Sequence, residues 1–262
     1  MLIDSHCHLD FPELAADEDG VLARANTAGV AGFLTISTRL DRFDEVRAIA
    51  ERHGNVWCSV GVHPHEAKEE GQSTPHRLIE AARHPKVIGI GETGLDFYYE
   101  HSPRAEQAES FRAHIDASRQ TGLPLIVHTR DADRETGEIL AEEHRKGAFP
   151  GLVHCFSSGP EIAERALALG LFISISGIVT FKAAESLRAI VRDIPIDRLL
   201  VETDAPYLAP VPKRGKTNEP AFVGYTAAKV AELKGVSVAE LEAATTENFF
   251  KLFAKAERSA CG

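Results

Sequence analysis

Apolar residues recur along this chain in eight short runs, and each run is followed by a stretch with helical periodicity. The runs are mostly continuous, as in Pro-Leu-Ile-Val at residues 124–127, which is typical of parallel strands covered on both faces. The predicted strands are Leu2–His6, Gly32–Ser37, Val56–Val62, Val87–Glu92, Leu123–His128, Gly151–Cys155, Leu171–Ser176 and Leu199–Glu202. Eight strand–helix units in about 250 residues predict an α/β fold, a (β/α)8 TIM barrel.

A doubly wound open sheet is the main alternative for strands and helices in this order. It is disfavoured because no glycine-rich phosphate-binding loop follows the first strand. The chain has no internal repeat, low-complexity tract or linker. We therefore expect a single barrel domain over residues 1–256 and a loose C-terminal tail over residues 257–262.

Helix boundaries are marked by residues that favour caps. Ser102-Pro103 predicts an N-cap followed by a first helical turn, and Gly122 predicts the end of the same helix. Ser237 and Glu240 have the spacing of a capping box and predict the start of the last helix.

The composition is that of a protein with an ordinary apolar core. Hydrophobic residues make up 44% and charged residues 26% of the 262 residues. No apolar run approaches the roughly 18–20 residues that a membrane helix needs. The N-terminus lacks a basic region followed by an apolar one, so we expect a cytoplasmic protein with no membrane association. Four cysteines without CxxC spacing predict reduced thiols rather than a disulfide framework or a zinc motif.

The chain is acidic, with 29 Lys and Arg against 39 Asp and Glu and a formal net charge of −10. This balance argues against a broad basic surface for duplex nucleic acid, because such binding needs many Lys and Arg contacts to phosphate. It leaves open a phosphate-bearing substrate that is held at one point by metal ions and a few cations. No obligate protein partner is evident from the sequence.

Residues of metal-binding type lie at the predicted rim, which is formed by the C-terminal ends of the strands and the loops that follow them. In such barrels the reacting groups sit on this rim. His6 and His8 are two positions apart on the first strand, so their side chains point the same way. The complete set is His6, His8, Glu92, His128, His154 and Asp204. Four imidazoles and two carboxylates are too many for one open mononuclear site and suit two metal ions.

The remaining histidines divide by position. His63 follows strand 3 on the rim and is expected to lie near the substrate or the metal-bound water. His65 is equally consistent with a solvated loop residue. The others lie in helical or loop stretches away from the rim, where surface or partly buried structural roles are expected; they are His53, His76, His84, His101, His114 and His144.

Charged and aromatic side chains on the same rim are candidates for substrate binding. Arg214 and Lys216 belong to a small basic run after strand 8, and Arg130 follows strand 5. A solvated loop would also explain such a run, but a guanidinium and an ammonium close to two metal ions suit a phosphate. Tyr98, after strand 4, is expected either to stack on a base or to pack its loop. The candidate substrate-binding residues are His63, Asp96, Tyr98, Arg130, Arg214 and Lys216.

Taken together, these motifs resemble those of the TatD family of metal-dependent deoxyribonucleases, within the amidohydrolase-like barrels. The resemblance covers nearly the whole chain, and the chain departs from the family pattern at none of the metal-ligand positions. It is carried by Ile3-Asp4-Ser5-His6-Cys7-His8-Leu9, Gly61-Val62-His63-Pro64-His65, Gly89-Ile90-Gly91-Glu92-Thr93-Gly94-Leu95-Asp96, Val127-His128 with Arg130, His154-Cys155-Phe156-Ser157, Glu202-Thr203-Asp204-Ala205-Pro206-Tyr207, Arg214-Gly215-Lys216 and Asn218-Glu219-Pro220.

The resemblance implies two divalent metal ions at the mouth of the barrel. Glu92 would bridge the two ions, His6 and His8 would bind the first, and His128 and His154 would bind the second. The donor set accepts Mg²⁺, Mn²⁺ or Zn²⁺, and the identity of the ions stays open. Imidazole ligands favour softer ions than Mg²⁺, whereas relatives are usually described as magnesium-dependent.

The implied reaction is hydrolysis of phosphodiester bonds in DNA by a hydroxide held between the ions. Asp204 would orient the attacking water and take its proton, so that Asp204 and Glu92 are the candidate catalytic residues. A local grip on phosphate suits single-stranded DNA or frayed strand ends better than long duplex, and we expect a 3′–5′ exonuclease.

Other functions stay open at this point. An ester hydrolase on the same scaffold, such as an aminoacyl-tRNA deacylase, or another amidohydrolase would use much the same residues. Many amidohydrolases place a carboxylated Lys at the metal bridge, where this chain has Glu92. A metal-stabilised binding protein would need a closed set of ligands without room for water, which six ligands across two ions do not naturally give.

Overall fold

The computed structural model describes residues 1–69 and 75–261. Its eight-stranded sheet runs in the order β1 to β8, and each strand is parallel to the next along the chain. The strands are β1 (Leu2–Cys7), β2 (Val30–Thr35), β3 (Val56–Val60), β4 (Val87–Asp96), β5 (Leu125–Arg130), β6 (Gly151–Val153), β7 (Phe172–Ile175) and β8 (Leu199–Val201). The α-helices of the described residues are α1 (Pro12–Ala15), α2 (Glu18–Thr27), α3 (Phe43–Arg52), α4 (Pro75–Ala81), α5 (Arg104–Thr121), α6 (Asp133–Lys146), α7 (Pro160–Ala168), α8 (Glu185–Asp193), α9 (Val223–Lys234) and α10 (Val238–Leu252).

The sheet closes between β1 and the segment that follows β8. Cys7 and Ala205 form a parallel bridge. The backbone N–H of Asp204 donates to the carbonyl of His6 at 2.9 Å, and the N–H of His8 donates to the carbonyl of Ala205 at 2.8 Å. The predicted (β/α)8 barrel is therefore confirmed, and its closure brings the end of the last strand against the first.

An apolar cluster fills the interior of the barrel below the rim. Each strand contributes to it, through Ile3, Leu34, Trp57, Ile88, Ile126, Leu152, Phe172 and Leu200. The end of α10 closes this layer from below with Phe249 and Phe253, which are both fully buried. We refer to this layer as the interior cluster.

A larger apolar cluster lies between the outer face of the sheet and the surrounding helices. In β5, Leu125 and Val127 belong to this outer cluster, whereas Ile126 between them belongs to the interior cluster. Because both faces of the strand are buried, the apolar run in the sequence is continuous rather than alternating.

The predicted strand boundaries are within two residues of the observed ones, except at the end of β4. This strand was predicted to end at Glu92 but continues to Asp96, pairing with β5 as far as Arg130. Gly94 allows this extension: it has φ +139°, and a Cβ atom there would overlap the carbonyl oxygen of His128. Glu92 is therefore held within a strand rather than on the following loop.

Two helix boundaries agree with the sequence signals and one does not. Gly122 ends α5 in the left-handed conformation, and Ser237 and Glu240 form the capping box of α10. The N-cap of α5 is Pro103, however, and not Ser102. The hydroxyl of Ser102 instead donates to the carbonyl of His65 at 2.7 Å, so it anchors a rim loop.

The predicted loose tail is packed against the barrel as far as residue 261. Arg258–Cys261 forms a 3-10 helix, and Arg258 pairs with Glu247 while its guanidinium lies 4.8 Å from the ring centre of Phe250. Cys261 packs against the interior cluster. Gly262 lies outside the described residues. None of the described helices is long and apolar enough to cross a membrane.

Candidate active site

Strand alternation places the site directly above the interior cluster. In β5 the inward residue Ile126 is followed two positions later by His128, and Leu152 of β6 is followed in the same way by His154. Side chains two apart on a strand face the same side, so each imidazole lies one layer above an apolar residue. The polar layer is thus positioned by the packing beneath it.

The carboxylate of Glu92 lies at the centre of the candidate ligands. Its Oε1 atom is 2.7 Å from Nε2 of His154 and 2.9 Å from Nδ1 of His128. Its Oε2 atom is 3.4 Å from Nε2 of His6 and 4.0 Å from Nε2 of His8. Each carboxylate oxygen therefore faces a different pair of imidazoles, as a carboxylate that bridges two cations would.

Asp204 joins the side of His6 and His8. Its Oδ1 atom is 3.5 Å from Nε2 of His8 and 3.7 Å from Nε2 of His6. The backbone of Asp204 has φ +56°, a region that Asp tolerates better than most residues and that is often found at functional sites. Asp4 supports this turn, because its buried carboxyl group accepts hydrogen bonds from both the N–H and the hydroxyl of Thr203. The structure thus brings all six predicted ligands into one cluster at the mouth of the barrel, which we call the cup.

Electrostatic attraction between the buried carboxylates and imidazoles of the cup shifts their pKa values. Burial opposes ionisation of Glu92, but the surrounding imidazoles, led by His154, outweigh it and hold the pKa of this carboxyl well below its usual range. The pKa of Asp204 is lowered in the same way by neighbouring imidazoles against the effect of burial. Burial opposes protonation of His154, but Glu92 and Glu202 raise its pKa well above the usual value. Burial and the proximity of His154 lower the pKa of His6. The cup therefore contains ionised carboxylates, and its imidazoles differ in pKa: that of His154 is raised and that of His6 is lowered.

The donor set fits two divalent cations. Both ring nitrogens of His6 and Nδ1 of His8 are buried and lack a hydrogen-bond partner among the residues that the structure describes. Buried polar atoms without partners cost free energy, and a cation is a partner that their lone pairs can satisfy. Ligand atoms of His6, His8 and Glu92 lie within 4.8 Å of one another. On the other side of Glu92, Nδ1 of His128 lies 3.3 Å from Nε2 of His154, and both atoms face Oε1 of Glu92. Divalent cations bound here would act as Lewis acids and activate a water molecule for hydrolysis.

Two buried carboxylates stand behind the imidazoles of the cup. Asp96 Oδ2 lies 3.4 Å from Nε2 of His128, and Glu202 Oε1 lies 3.4 Å from Nδ1 of His154. Such carboxylates fix the tautomer and orientation of a ligating histidine. Asp96 is only 1% exposed, and its Oδ1 atom accepts the N–H groups of Tyr98 and Tyr99. The expectation that Asp96 contacts substrate is corrected: it is enclosed by its own loop and by imidazoles.

Glu202 belongs to the family motif but was given no role from the sequence. It is fully buried, and its Oε1 atom accepts the backbone N–H of Cys155 at 2.7 Å. The signal that could have found it is the strand alternation, because Glu202 follows the inward residue Leu200 by two positions.

Two rim histidines differ from their predicted surroundings. His65 is held by Asp96 at 2.8 Å between Nε2 and Oδ2, so it is not merely a solvated loop residue. His101 was expected to lie away from the rim, but its ring lies 4.6 Å from that of His65 and stacks on Tyr99 at 5.5 Å. The loop after β4 folds back over the loop after β3, which the sequence pattern alone does not indicate.

The candidate substrate-binding cations lie on the rim, and two of them rest on aromatic rings. The guanidinium of Arg130 is 4.1 Å from the ring centre of Tyr98, whose side chain is exposed. Arg214 lies 4.0 Å from the ring centre of Phe181 and donates a hydrogen bond to the carbonyl of Ala209. Lys216 is exposed on the same loop.

His114 was expected to have a surface or partly buried structural role, but it is fully buried and supports the loop that carries His63. It is fully buried in α5, donates from Nδ1 to the carbonyl of Ser110 at 2.7 Å, and accepts the N–H of Val62 at Nε2 at 3.0 Å. These contacts require a neutral ring, and burial lowers the pKa of His114 to about 4.

This pKa predicts a pH dependence of stability. The unfolded chain takes up a proton on His114 near pH 6.5, whereas the folded chain does so only near pH 4. The stability that neutral His114 contributes to the folded chain is fully present above the unfolded pKa. As the pH falls through this window, the free energy of unfolding decreases by about 3 kcal/mol. Urea unfolding of the wild type and of His114→Gln, from neutral pH to about pH 4, should give a weaker pH dependence for the variant. An equal dependence of the free energy of unfolding on pH in the two proteins would contradict the lowered pKa of His114.

A closed parallel barrel with imidazoles and carboxylates for two cations at its C-terminal mouth defines a metal-dependent hydrolase. The chain belongs to the family described as TatD related DNase, whose model matches residues 3–254. It is 46% identical over 255 residues to YcfH of Escherichia coli strain K12, described as an uncharacterized metal-dependent hydrolase, covering 96% of this chain and 95% of that protein.

Two further proteins are similar over nearly their whole length. The 3'-5' ssDNA/RNA exonuclease TatD of Enterobacter lignolyticus is 36% identical over 258 residues, covering 96% of this chain and 98% of that protein. The crystal structure of YjjV, a TatD homologue from Escherichia coli K12, superposes with a TM-score of 0.90 at 30% identity, covering 97% of this chain and 98% of that one.

Proposed function

We propose that this hydrolase cleaves phosphodiester bonds of DNA as a 3′–5′ exonuclease on single-stranded or frayed ends. A relative at 36% identity carries the name of a 3'-5' ssDNA/RNA exonuclease. The observation on this chain that carries the proposal is the exposure of its tyrosines on the segments that follow β4 and β8.

All four tyrosines of the chain lie on segments that follow β4 or β8, and all are exposed. Tyr98 is 58% exposed and Tyr207 53%, although large aromatic side chains are usually more deeply buried. Arg130 lies 4.1 Å from the ring centre of Tyr98 and 4.7 Å from that of Tyr99. Exposed aromatic rings beside a guanidinium favour stacking of unpaired bases and contact with the phosphates between them.

The positive charge on the rim is confined to a few side chains. Arg214 and Lys216 lie on the loop after β8, while the chain as a whole carries a formal net charge of −10. Long duplex would be repelled by this balance, whereas a strand end needs only the few cations near the cup. The small number of cations on the rim therefore suits unpaired termini better than long duplex.

In the proposed mechanism, six side chains would hold two divalent ions, which would supply positive charge to the phosphoryl group and lower the pKa of the attacking water. His6, His8 and Asp204 would hold one ion on the Oε2 side of Glu92, and His128 and His154 would hold the other on the Oε1 side. Asp204 accepts the proton of the attacking water, since it is the carboxylate of the cup with the larger exposure, 14% against 3% for Glu92. Arg214 and Lys216 bind phosphate.

The proposal is tested with protein that has been stripped by a chelator and reloaded separately with Mg²⁺, Mn²⁺ or Zn²⁺. Single-stranded DNA labelled at its 5′ end should yield a ladder of progressively shorter labelled strands, and the same strand labelled at its 3′ end should release labelled mononucleotide first. Blunt duplex of the same sequence should be cleaved more slowly than single strands.

Aminoacyl-tRNA serves as the rival substrate, because an ester hydrolase on this scaffold would use the same cup. Release of the amino acid faster than release of nucleotides from DNA would reject the nuclease proposal. Release from the 5′ end first would reject the polarity while leaving phosphodiester hydrolysis in place.

A further inference from the structure

Each imidazole of the cup has one ring nitrogen that points away from the cup. The hydrogen-bond partner of that nitrogen determines whether the other nitrogen presents a lone pair or an N–H group to the cup. His128 directs Nε2 to the carboxylate of Asp96, and His154 directs Nδ1 to the carboxylate of Glu202. A neutral ring that donates its N–H to such a carboxylate presents the lone pair of its other nitrogen on the opposite side. When neutral, the ring of His128 therefore offers the lone pair of Nδ1 to the cup, as a metal ligand must. Nδ1 of His154 lies 3.4 Å from Oε1 of Glu202 without a hydrogen bond, and Nε2 of His154 faces Glu92.

His63 has the opposite surroundings. A backbone donor stands behind its ring: the N–H of His65 donates to Nδ1 of His63 at 3.1 Å. This contact is the side-chain cap of a 3-10 helix, Pro64–Glu66. A neutral imidazole that accepts at Nδ1 carries its proton on Nε2. Nε2 of His63 lies 3.5 Å from Oε1 of Glu92, so an N–H group rather than a lone pair points into the cup.

The surroundings of His63 make a reversal of its ring costly. Its backbone N–H donates to the carbonyl of Thr38 at 2.9 Å, and the preceding residue, Val62, is bound by His114. On the other side, His65 is held by Asp96. Turning the ring to present a lone pair would break the cap and leave the N–H of His65 without its partner.

We propose that His63 faces the cup as an Nε2–H donor that hydrogen-bonds a phosphoryl oxygen of the substrate, and that it is not a metal ligand. The competing assignment is a ligand role in the trio of His63, Glu92 and His128, whose ligand atoms lie within 4.8 Å of one another. The inference rests on the proposed function for the identity of the acceptor. No proton is transferred: the donor is fixed before the reaction and its hydrogen bond strengthens as negative charge grows on the oxygen.

The tautomer can be measured without turnover. Protein labelled with ¹⁵N-histidine and loaded with Zn²⁺ should give two-bond proton–nitrogen correlations for His63 of the Nε2–H form, assigned by their loss in His63→Gln. Metal analysis should find the same number of ions per chain in the wild type, His63→Ala and His63→Gln, and fewer in His128→Ala. An Nδ1–H pattern for His63, or loss of an ion from His63→Ala, would overturn the proposal.

Steady-state kinetics test whether His63 donates a hydrogen bond to a phosphoryl oxygen of the substrate. His63→Ala should lower kcat on single-stranded DNA by about 10²-fold, the usual cost of losing one preorganised donor, and His63→Gln should recover most of it through its amide N–H. His84→Ala is the matched control, because His84 precedes β4 at the end of the barrel opposite the cup, where it pairs with Glu51. An unchanged kcat in His63→Ala would reject the donor role. A wild type inactive on all DNA substrates would contradict the proposed function alone, since the nitrogen signals and ion counts still decide which end of His63 faces the cup.

Discussion

Replacement of Glu92 by Gln should lower kcat by at least about 10³-fold and reduce the number of bound ions. Among the residues that the structure describes, Glu92 is the one side chain whose two oxygens face both pairs of imidazoles, at distances from 2.7 to 4.0 Å. The amide of Gln keeps the shape but replaces one anionic oxygen with an N–H donor, which cannot bind a cation. The variant is measured by steady-state hydrolysis of single-stranded DNA together with metal analysis of the purified protein.

Folding should be affected much less than turnover, because the interior cluster below Glu92 contains none of the ligands. Circular dichroism and thermal unfolding of the variant provide this comparison. Glu161→Gln is the matched control, since it makes the same chemical change at an exposed site at the start of α7. A Glu92→Gln enzyme with a near-normal rate and full metal content would remove the basis for the bridging role.

Replacement of Asp204 by Asn should lower kcat by about 10²- to 10⁴-fold while the bound ions are retained. Asn cannot take a proton from the attacking water, but His6, His8 and Glu92 still face one another on that side of the cup. Asn also tolerates the left-handed backbone that residue 204 adopts at φ +56°. The measurement is the rate at saturating DNA, with metal analysis of the same sample.

Asp197→Asn is the matched control for this variant. Asp197 precedes β8 at the opposite end of the barrel, and its side chain is 65% exposed. It should leave the rate unchanged. Loss of an ion from Asp204→Asn would make Asp204 chiefly a metal ligand, and a rate close to that of the wild type would reject its role as proton acceptor.

The fold could be predicted from the sequence because the physics of a parallel barrel is local and periodic. Leu125, Ile126 and Val127 are all apolar since the strand has helices on one side and the barrel interior on the other. The approximate place of each candidate ligand follows from the same rule, because the C-terminal ends of parallel strands meet at one rim. The sequence alone therefore predicts that residues as distant as His6 and Asp204 lie on one rim.

Other features depend on contacts between segments that are remote in sequence. The extension of β4 to Asp96 requires the close approach of Gly94 to the carbonyl of His128. The packing of Cys261 against the interior cluster depends on the path of the chain after α10. Neither contact leaves a periodic pattern, so the end of β4 and the state of the tail were predicted wrongly.

The sequence by itself determined the barrel, its order of strands and the six polar side chains at its mouth, because strand alternation and apolar burial are encoded in neighbouring residues. Only the tertiary structure decided how those side chains are presented. Asp96 stands behind His128 and Glu202 behind His154, whereas a backbone N–H stands behind His63. A ring nitrogen carries a proton or a lone pair according to the hydrogen bond at the opposite nitrogen, and its partner is known only when the chain is folded.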